Sequence, residues 1–296
     1  MKIHSNKKHL ALNYYFKIVR DVVKVKFGNL YYADLFCGDG ECIVKEYGKE
    51  WNPSLIDAVL KPAKEGKLSV ICFLNDKEPS CIEKMKSKTK DYAGFIADYG
   101  NEDANEYYKT VLARAPRGRF IIFFLDPYNH TELKWETIRK ISEHSNTYGG
   151  KTYRPEIIIN FMTHSMLNSW RAKSYDSITA ALGTDKWIDL IKTNKDRNVP
   201  RPILSALLTT FVEQLKSLGY SVPTPIPITE TSRGNTVYYL IWATNEHGYE
   251  IIEKRVMRYL RERVDELQEA NVTESLRQKD KKKGIKHLDK FWCPSS

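Results

Sequence analysis

The sequence predicts an α/β protein with a Rossmann-like, doubly wound, mostly parallel sheet, an antiparallel edge hairpin and a helical insertion. Three observations predict it. Strand-like and helix-like segments alternate from residue 31 to 162, the order that parallel βαβ units require. The run "FIIFFL", Phe120 to Leu125, is apolar throughout, as a central strand covered on both faces must be. Acids recur at strand ends: Asp34 in the first strand just before two glycines, then Asp76, Asp98 and Asp126 closing the second, third and fourth.

Leu10, Tyr14, Ile18, Val22 and Val25 recur at steps of three and four, which predicts an amphipathic helix ending near Gly28. "LYYADLF" follows as the first strand and turns at Gly38-Asp39-Gly40. "LSVICFLND" (68–76) is the second strand, with a lysine-rich helix from Pro79 to about Lys90. "YAGFIAD" (92–98) is a third, weaker strand, and "NEDANEYYKTVLARA" the helix after it. "GRFIIFFLDPYN", "WETIRKISEHS" and "PEIIINFM" supply the fourth strand, a helix and the fifth strand.

Residues 163–200 break the alternation. They are polar, with short helical pieces such as "SITAALG" and "KWIDLIK", and are expected to form an insertion outside the core, either a recognition subdomain or a lid. "ILSALLTTFVEQLKSLGY" is a further amphipathic helix. "PTPIPITETSRGNTVYYLIWATN" gives two extended segments around Arg233-Gly234-Asn235, a hairpin signal. Ile252, Val256, Leu260, Val264 and Leu267 mark one face of a late helix, and the basic stretch "RQKDKKKGIKHLDKFW" that follows reads as a flexible arm. The expected organisation is a domain over residues 1–260 and a basic carboxy-terminal helix and tail over 261–296.

Hydrophobic residues make up 42% of the 296 and charged residues 28%, which excludes wholesale disorder. No apolar run approaches the roughly 20 residues that cross a bilayer, and the amino terminus lacks an uninterrupted apolar signal-type segment, so a cytoplasmic protein is expected. The cysteines at 37, 42, 72, 81 and 293 match no CxxC pairing; reduced thiols and no metal site are expected. A net charge of +10 suits an anionic partner, of which nucleic acid is the commonest.

Ligands of open α/β sheets bind beyond the carboxyl ends of the strands. Gly38 and Gly40 let the backbone come close to one. Position 43 is Ile, not the third glycine of GxGxxG, which disfavours a nicotinamide dinucleotide. A ring of carboxylates is better matched by a ligand with a ribose, an adenine and a positive centre. S-adenosylmethionine has all three.

"DLFCGDG", Asp76, Asp98 and "FLDPYN" resemble the successive motifs of class I S-adenosylmethionine-dependent methyltransferases. With the leading helix, "FFLDPYNHTELKWETI", "IIINFM" and "YYLIWATNEHGYEII", the chain resembles, over roughly residues 8 to 260, the three-Cys-motif partner (TcmP) family, whose members look like such methyltransferases. The resemblance implies that Gly38 and Gly40 line the methionine end of the cofactor, that Asp34 lies near its ammonium, and that Phe36 is a further cofactor contact. It implies Asp76 at the ribose hydroxyls, Asp98 at the adenine amine and Tyr99 against the ring face.

Asp126, Pro127 and Tyr128 are similar to the Asp-Pro-Pro-Tyr segment of methyltransferases that modify exocyclic amines. There the acid and a proline carbonyl accept from the amine while the aromatic ring stacks on an extruded base. This chain has one proline where that segment has two. Asn129, His164 and Arg171 are the candidate substrate contacts, Arg171 to a phosphate. The implied function is methyl transfer to a base nitrogen of nucleic acid. The alternatives are a non-catalytic nucleic-acid- or partner-binding module on the same fold, and methylation of a protein or small molecule.

Overall fold

The computed structural model describes residues 4–40, 43–44, 49–50, 55–148, 151–197, 201–229 and 236–260. Cys42, Cys293, the 233–235 turn and the 261–296 tail with Val264 and Leu267 lie outside the described residues.

Seven strands form the main sheet: β1 (Leu30–Asp34), β2 (Val70–Asn75), β3 (Ile96–Gly100), β4 (Phe120–Leu125), β5 (Glu156–Phe161), β6 (Ile226–Thr229) and β7 (Thr236–Ala243). Their spatial order is β6-β7-β5-β4-β1-β2-β3. β1 to β5 are parallel; β7 runs antiparallel to both β5 and β6. The fold is therefore the expected α/β, Rossmann-like doubly wound sheet with its antiparallel edge hairpin. Because β1 pairs with both β2 and β4, the strand order reverses at β1, and a crevice opens there above the carboxyl ends.

Side chains alternate across the sheet, as a two-residue period dictates. Ile121, Phe123, Leu125, Ile157 and Ile159 face one core; Ile122, Phe124, Ile158, Leu240 and Trp242 face the other. The first core is covered by α3 (Ala104–Arg114), α4 (Trp135–Ser142), α5 (Thr163–Arg171), α6 (Tyr175–Leu182), α7 (Trp187–Asp196) and α8 (Pro202–Ser217). The second is covered by α1 (His4–Lys26), the helical stretch over 55–64 and the helix that starts as α9 (Glu246–Ile251), which buries Ile252, Val256 and Leu260. α2 (Pro79–Thr89) follows β2 and adds Met85 to that side.

Three expectations need correction. In α1 the buried stripe is Leu12, Tyr15, Phe16, Val19 and Val23; of the predicted stripe Ile18 is buried at 7% exposure, Tyr14 and Val22 are half-buried, and Val25 is 83% exposed. The 12/15/16/19/23 positions form a second helical stripe beside the predicted one. Its aromatic rings win the sheet, with Phe16 edge-on to Tyr32 at 5.5 Å and Tyr15 edge-on to Trp242 at 5.9 Å. The third strand is Ile96–Gly100, preceded by a short 3-10 turn over Lys90–Phe95. Asp98 therefore lies inside the strand rather than at its end.

The third correction concerns residues 163–197, which are not peripheral. Met166, Ile178, Leu182, Trp187 and Ile191 pack into the same core as Phe123 and Ile157. Full burial of side chains this size stabilises by roughly 1.5–3 kcal/mol each. Averaged composition concealed them because each short helix buries one or two residues per turn and leaves the rest polar.

Candidate active site

A cleft opens at the switch point with a volume of about 860 Å³, within the usual range for small-molecule sites. Every strand end around it contributes. Phe36 comes from the loop after β1, Asp76 from β2, Asp103 from the loop before α3, Asp126 to Asn129 from β4, and Asn160 and Met162 from β5.

The loops are tied together before any ligand is considered. Asn75, fully buried, donates from Nδ2 to the Leu35 and Glu102 carbonyls at 3.1 and 3.0 Å and accepts the Glu102 amide at 3.1 Å. Asp76 accepts the Gly38 amide at 3.0 Å and the Glu78 amide at 2.9 Å, one on each carboxylate oxygen. The glycine turn and the β2 loop thus share one carboxylate. Gly38 has φ +59°, a left-handed conformation suited to glycine, and a Cβ there would meet no atom within 4 Å.

Asp34 lies below this turn, 6% exposed, accepting the Phe36 amide at 3.1 Å and, at a long 3.4 Å, the Tyr32 hydroxyl. Burial pushes its pKa up to about 7; the Phe36 amide opposes this and the Asp126 charge adds to it. Between the unfolded value near 3.9 and about 7, the folded state keeps a proton that the unfolded chain has released. Asp34 therefore costs stability progressively as pH rises through that window. A cationic ligand should bind more tightly as pH passes about 7 and Asp34 ionises. Titrations across this range should show the rise, and Asp34→Asn should flatten it; a profile unchanged by the substitution would assign the rise to another group.

Asp126 lines the cleft with both oxygens engaged. Lys8 from α1 reaches Oδ2 at 2.5 Å, and Asn160 Nδ2 donates to Oδ1. A carboxylate only accepts, so the Asn160 amide must turn its nitrogen toward Asp126. Its oxygen, Oδ1, is then buried with no hydrogen-bond partner among the described residues. Such an acceptor is costly without a donor. Tyr128 stands at the mouth, 87% exposed, its amide held by Glu132 at 2.8 Å. Glu132 also pairs with Lys77 at 2.8 Å.

Of the predicted site residues, the cleft gathers Phe36, Asp76, Asp126, Pro127, Tyr128, Asn129 and His164. Asp34 lies beneath, and Gly38 is bonded to Asp76. The Asn129 side-chain oxygen, Oδ1, is engaged in capping, accepting the Thr131 amide at 2.9 Å. Asp98 and Tyr99 are not brought in: Asp98 accepts the Tyr107 hydroxyl at 2.8 Å and faces Arg114 at 3.6 Å, while the Tyr99 hydroxyl bonds Thr89 at 2.6 Å. Gly40 turns toward Met85 and Lys88. Arg171 does not line the cleft itself, but donates at 3.1 Å to its helix neighbour Asn168, which does.

Sequence reasoning missed Lys8, Asp103, Glu132, Asn160 and Asn168. Asn160 did carry a signal, as the one polar residue inside "IIINF". Lys8 carried none, being one lysine among several in a helix.

Among the described residues no group of three or more His, Cys, Asp or Glu is placed to hold a metal, and no helix is long and apolar enough to cross a membrane.

No protein-family model and no curated protein matches the chain. Solved structures do. A Legionella pneumophila protein, LPL1258, is similar at a TM-score of 0.50 and 10% identity, over 88% of this chain and 93% of that one. The DszA carbon methyltransferase is similar at 0.43 and 11%, over 78% of this chain and 52% of that one. The precorrin-6y C5,15-methyltransferase of Geobacter metallireducens is similar at 0.35 and 12%, over 78% and 88%. The structural neighbours include methyltransferases. At these identities the likeness concerns fold.

Proposed function

We propose that this protein is an S-adenosylmethionine-dependent methyltransferase that acts on a base nitrogen of nucleic acid, and that the sequence resemblance to the TcmP family reflects kinship. The observation that carries the reading is Asp126 at the carboxyl end of β4, held by Lys8 and the Asn160 amide nitrogen in the lining of a switch-point cleft that also includes Asp76. The remaining lone pairs of that carboxylate suit the N–H donors of an amine. Asp76 is placed in the cleft lining where a ribose diol can donate to its remaining lone pairs, and Phe36 and Met162 supply apolar wall. The residues present thus fit the cofactor, which when bound supplies a methyl group on a good leaving group. The remaining work of the protein is positioning.

The exposed Tyr128 ring is available to stack on a base taken out of its strand. The charge of the whole chain supports an anionic substrate, although the cleft itself is acidic: Asp76, Asp103, Asp126 and Glu132 outnumber Lys8 and Lys77. Phosphate contacts in this reading lie outside the cleft.

Incubation with a labelled methyl donor and short DNA and RNA strands tests the assignment. Label in nucleic acid is expected, and Asp126→Asn should reduce the rate roughly 10²–10³-fold with cofactor affinity nearly kept. Cofactor binding without label in any strand would overturn the substrate class. A second reading, a partner-binding module without turnover, is favoured by the Lys8 ion pair on Asp126; absence of cofactor binding by folded protein would select it.

A further inference from the structure

We propose that the ε-amine of Lys8 is a methyl acceptor in cis, a modification site carried by the protein's own amino-terminal helix. This rests on the reading of the cleft as a methyl-transfer site. Lys8 is on the helical face of α1 that also presents Leu12, Tyr15 and Val19, since steps of four, seven and eleven return to the same side. Tyr15 donates to the buried Glu156, and the Tyr14 ring stacks on Tyr259 at 4.0 Å. The register that places Lys8 is thereby held two turns further along.

The Lys8 side chain is 12% exposed, lines the cleft, and carries its ammonium to the same carboxylate assigned to the acceptor amine. An acidic cleft suits an alkylammonium at least as well as an uncharged base amine. Among the described residues, Lys8 is the only amine that contacts Asp126.

The step balances as follows. The ammonium passes one proton to the Asp126 carboxylate. The freed Nζ lone pair then forms an N–C bond to the methyl carbon of a sulfonium donor of the S-adenosylmethionine type. The C–S bond breaks, its electron pair remains on sulfur, and a neutral thioether leaves. The product is a methylated ammonium, and Asp126 returns its proton to solvent.

Two measurements test this. In the first, the full chain and Lys8→Arg are incubated with S-adenosylmethionine bearing a deuterated methyl, and the amino-terminal peptide is read by mass spectrometry. Methyl on Lys8 is expected, including unlabelled methyl in protein as isolated, with the labelling rate per molecule unchanged on dilution. Lys8→Arg keeps a cation for Asp126 and should carry no label at that position.

The second measurement needs no donor. Acylation by an amine reagent should be slower at Lys8 than at Lys192, whose side chain is 71% exposed, and faster at Lys8 in Asp126→Asn. Equal reactivity of Lys8 and Lys192 would overturn the placement. Calorimetric binding of S-adenosylmethionine with no methyl on Lys8 would overturn the proposal and leave the methyltransferase reading intact. A rate that falls with dilution would overturn transfer in cis, and failure to bind the cofactor would overturn both.

Discussion

Replacing Asp76 with alanine is expected to weaken S-adenosylmethionine binding by roughly tenfold to a hundredfold, the equivalent of one charge-assisted hydrogen bond. Two losses combine. The ribose acceptor disappears, and the Gly38 and Glu78 amides, held at 3.0 and 2.9 Å, lose their common partner. The glycine turn and the β2 loop are then no longer bound to one group, so the cleft is less organised before the ligand arrives. Calorimetric titration of wild type, Asp76→Ala and Asp76→Asn separates the contributions. The amide oxygen of Asp76→Asn can still accept one backbone N–H, so that variant should fall between the others. Equal affinity in wild type and Asp76→Ala, with both folded, would show that Asp76 does not serve the cofactor.

Gly183→Ala is expected to destabilise the protein by about 2–4 kcal/mol, adding the strain of a left-handed residue to that of overpacking. Gly183 ends α6 at φ +71°, its amide bonded to the Thr179 carbonyl at 2.7 Å. A Cβ there would lie 2.0 Å from Cδ1 of Trp135, which is nearly buried at the start of α4. Neither backbone nor indole can yield cheaply in a packed interior. Thermal unfolding should show one transition lowered by several degrees. Gly66→Ala is the control, with φ +68° and no atom within 4 Å of the added carbon, so it reports backbone strain without the clash. A transition at the wild-type temperature in Gly183→Ala would mean that the 163–197 helices can move away from the sheet, contrary to their packing in its core.

The legible parts of the site share a feature: each is a residue type at a strand end. Asp76 and Asp126 could be placed in one cleft because parallel strands deliver their carboxyl ends to one edge. Asp98 failed the same reasoning because the third strand begins four residues later than its apolar run suggested. Its carboxylate is consequently drawn under α3 to Tyr107 and Arg114. Asn160 was overlooked because one amide in an apolar strand has no local meaning until Asp126 lies beside it, 34 positions away in sequence.

By itself the sequence determined the alternation of strands and helices, the central "FIIFFL" strand and the acids that follow it, because two-residue and 3.6-residue periods are local properties of the chain. Only the tertiary structure decided which stripe of α1 is buried, that the polar 163–197 helices belong to the core, and that Lys8 closes on Asp126 across 118 positions. Those outcomes depend on how aromatic rings from separate elements pack against the sheet, and on which charges that packing brings within reach.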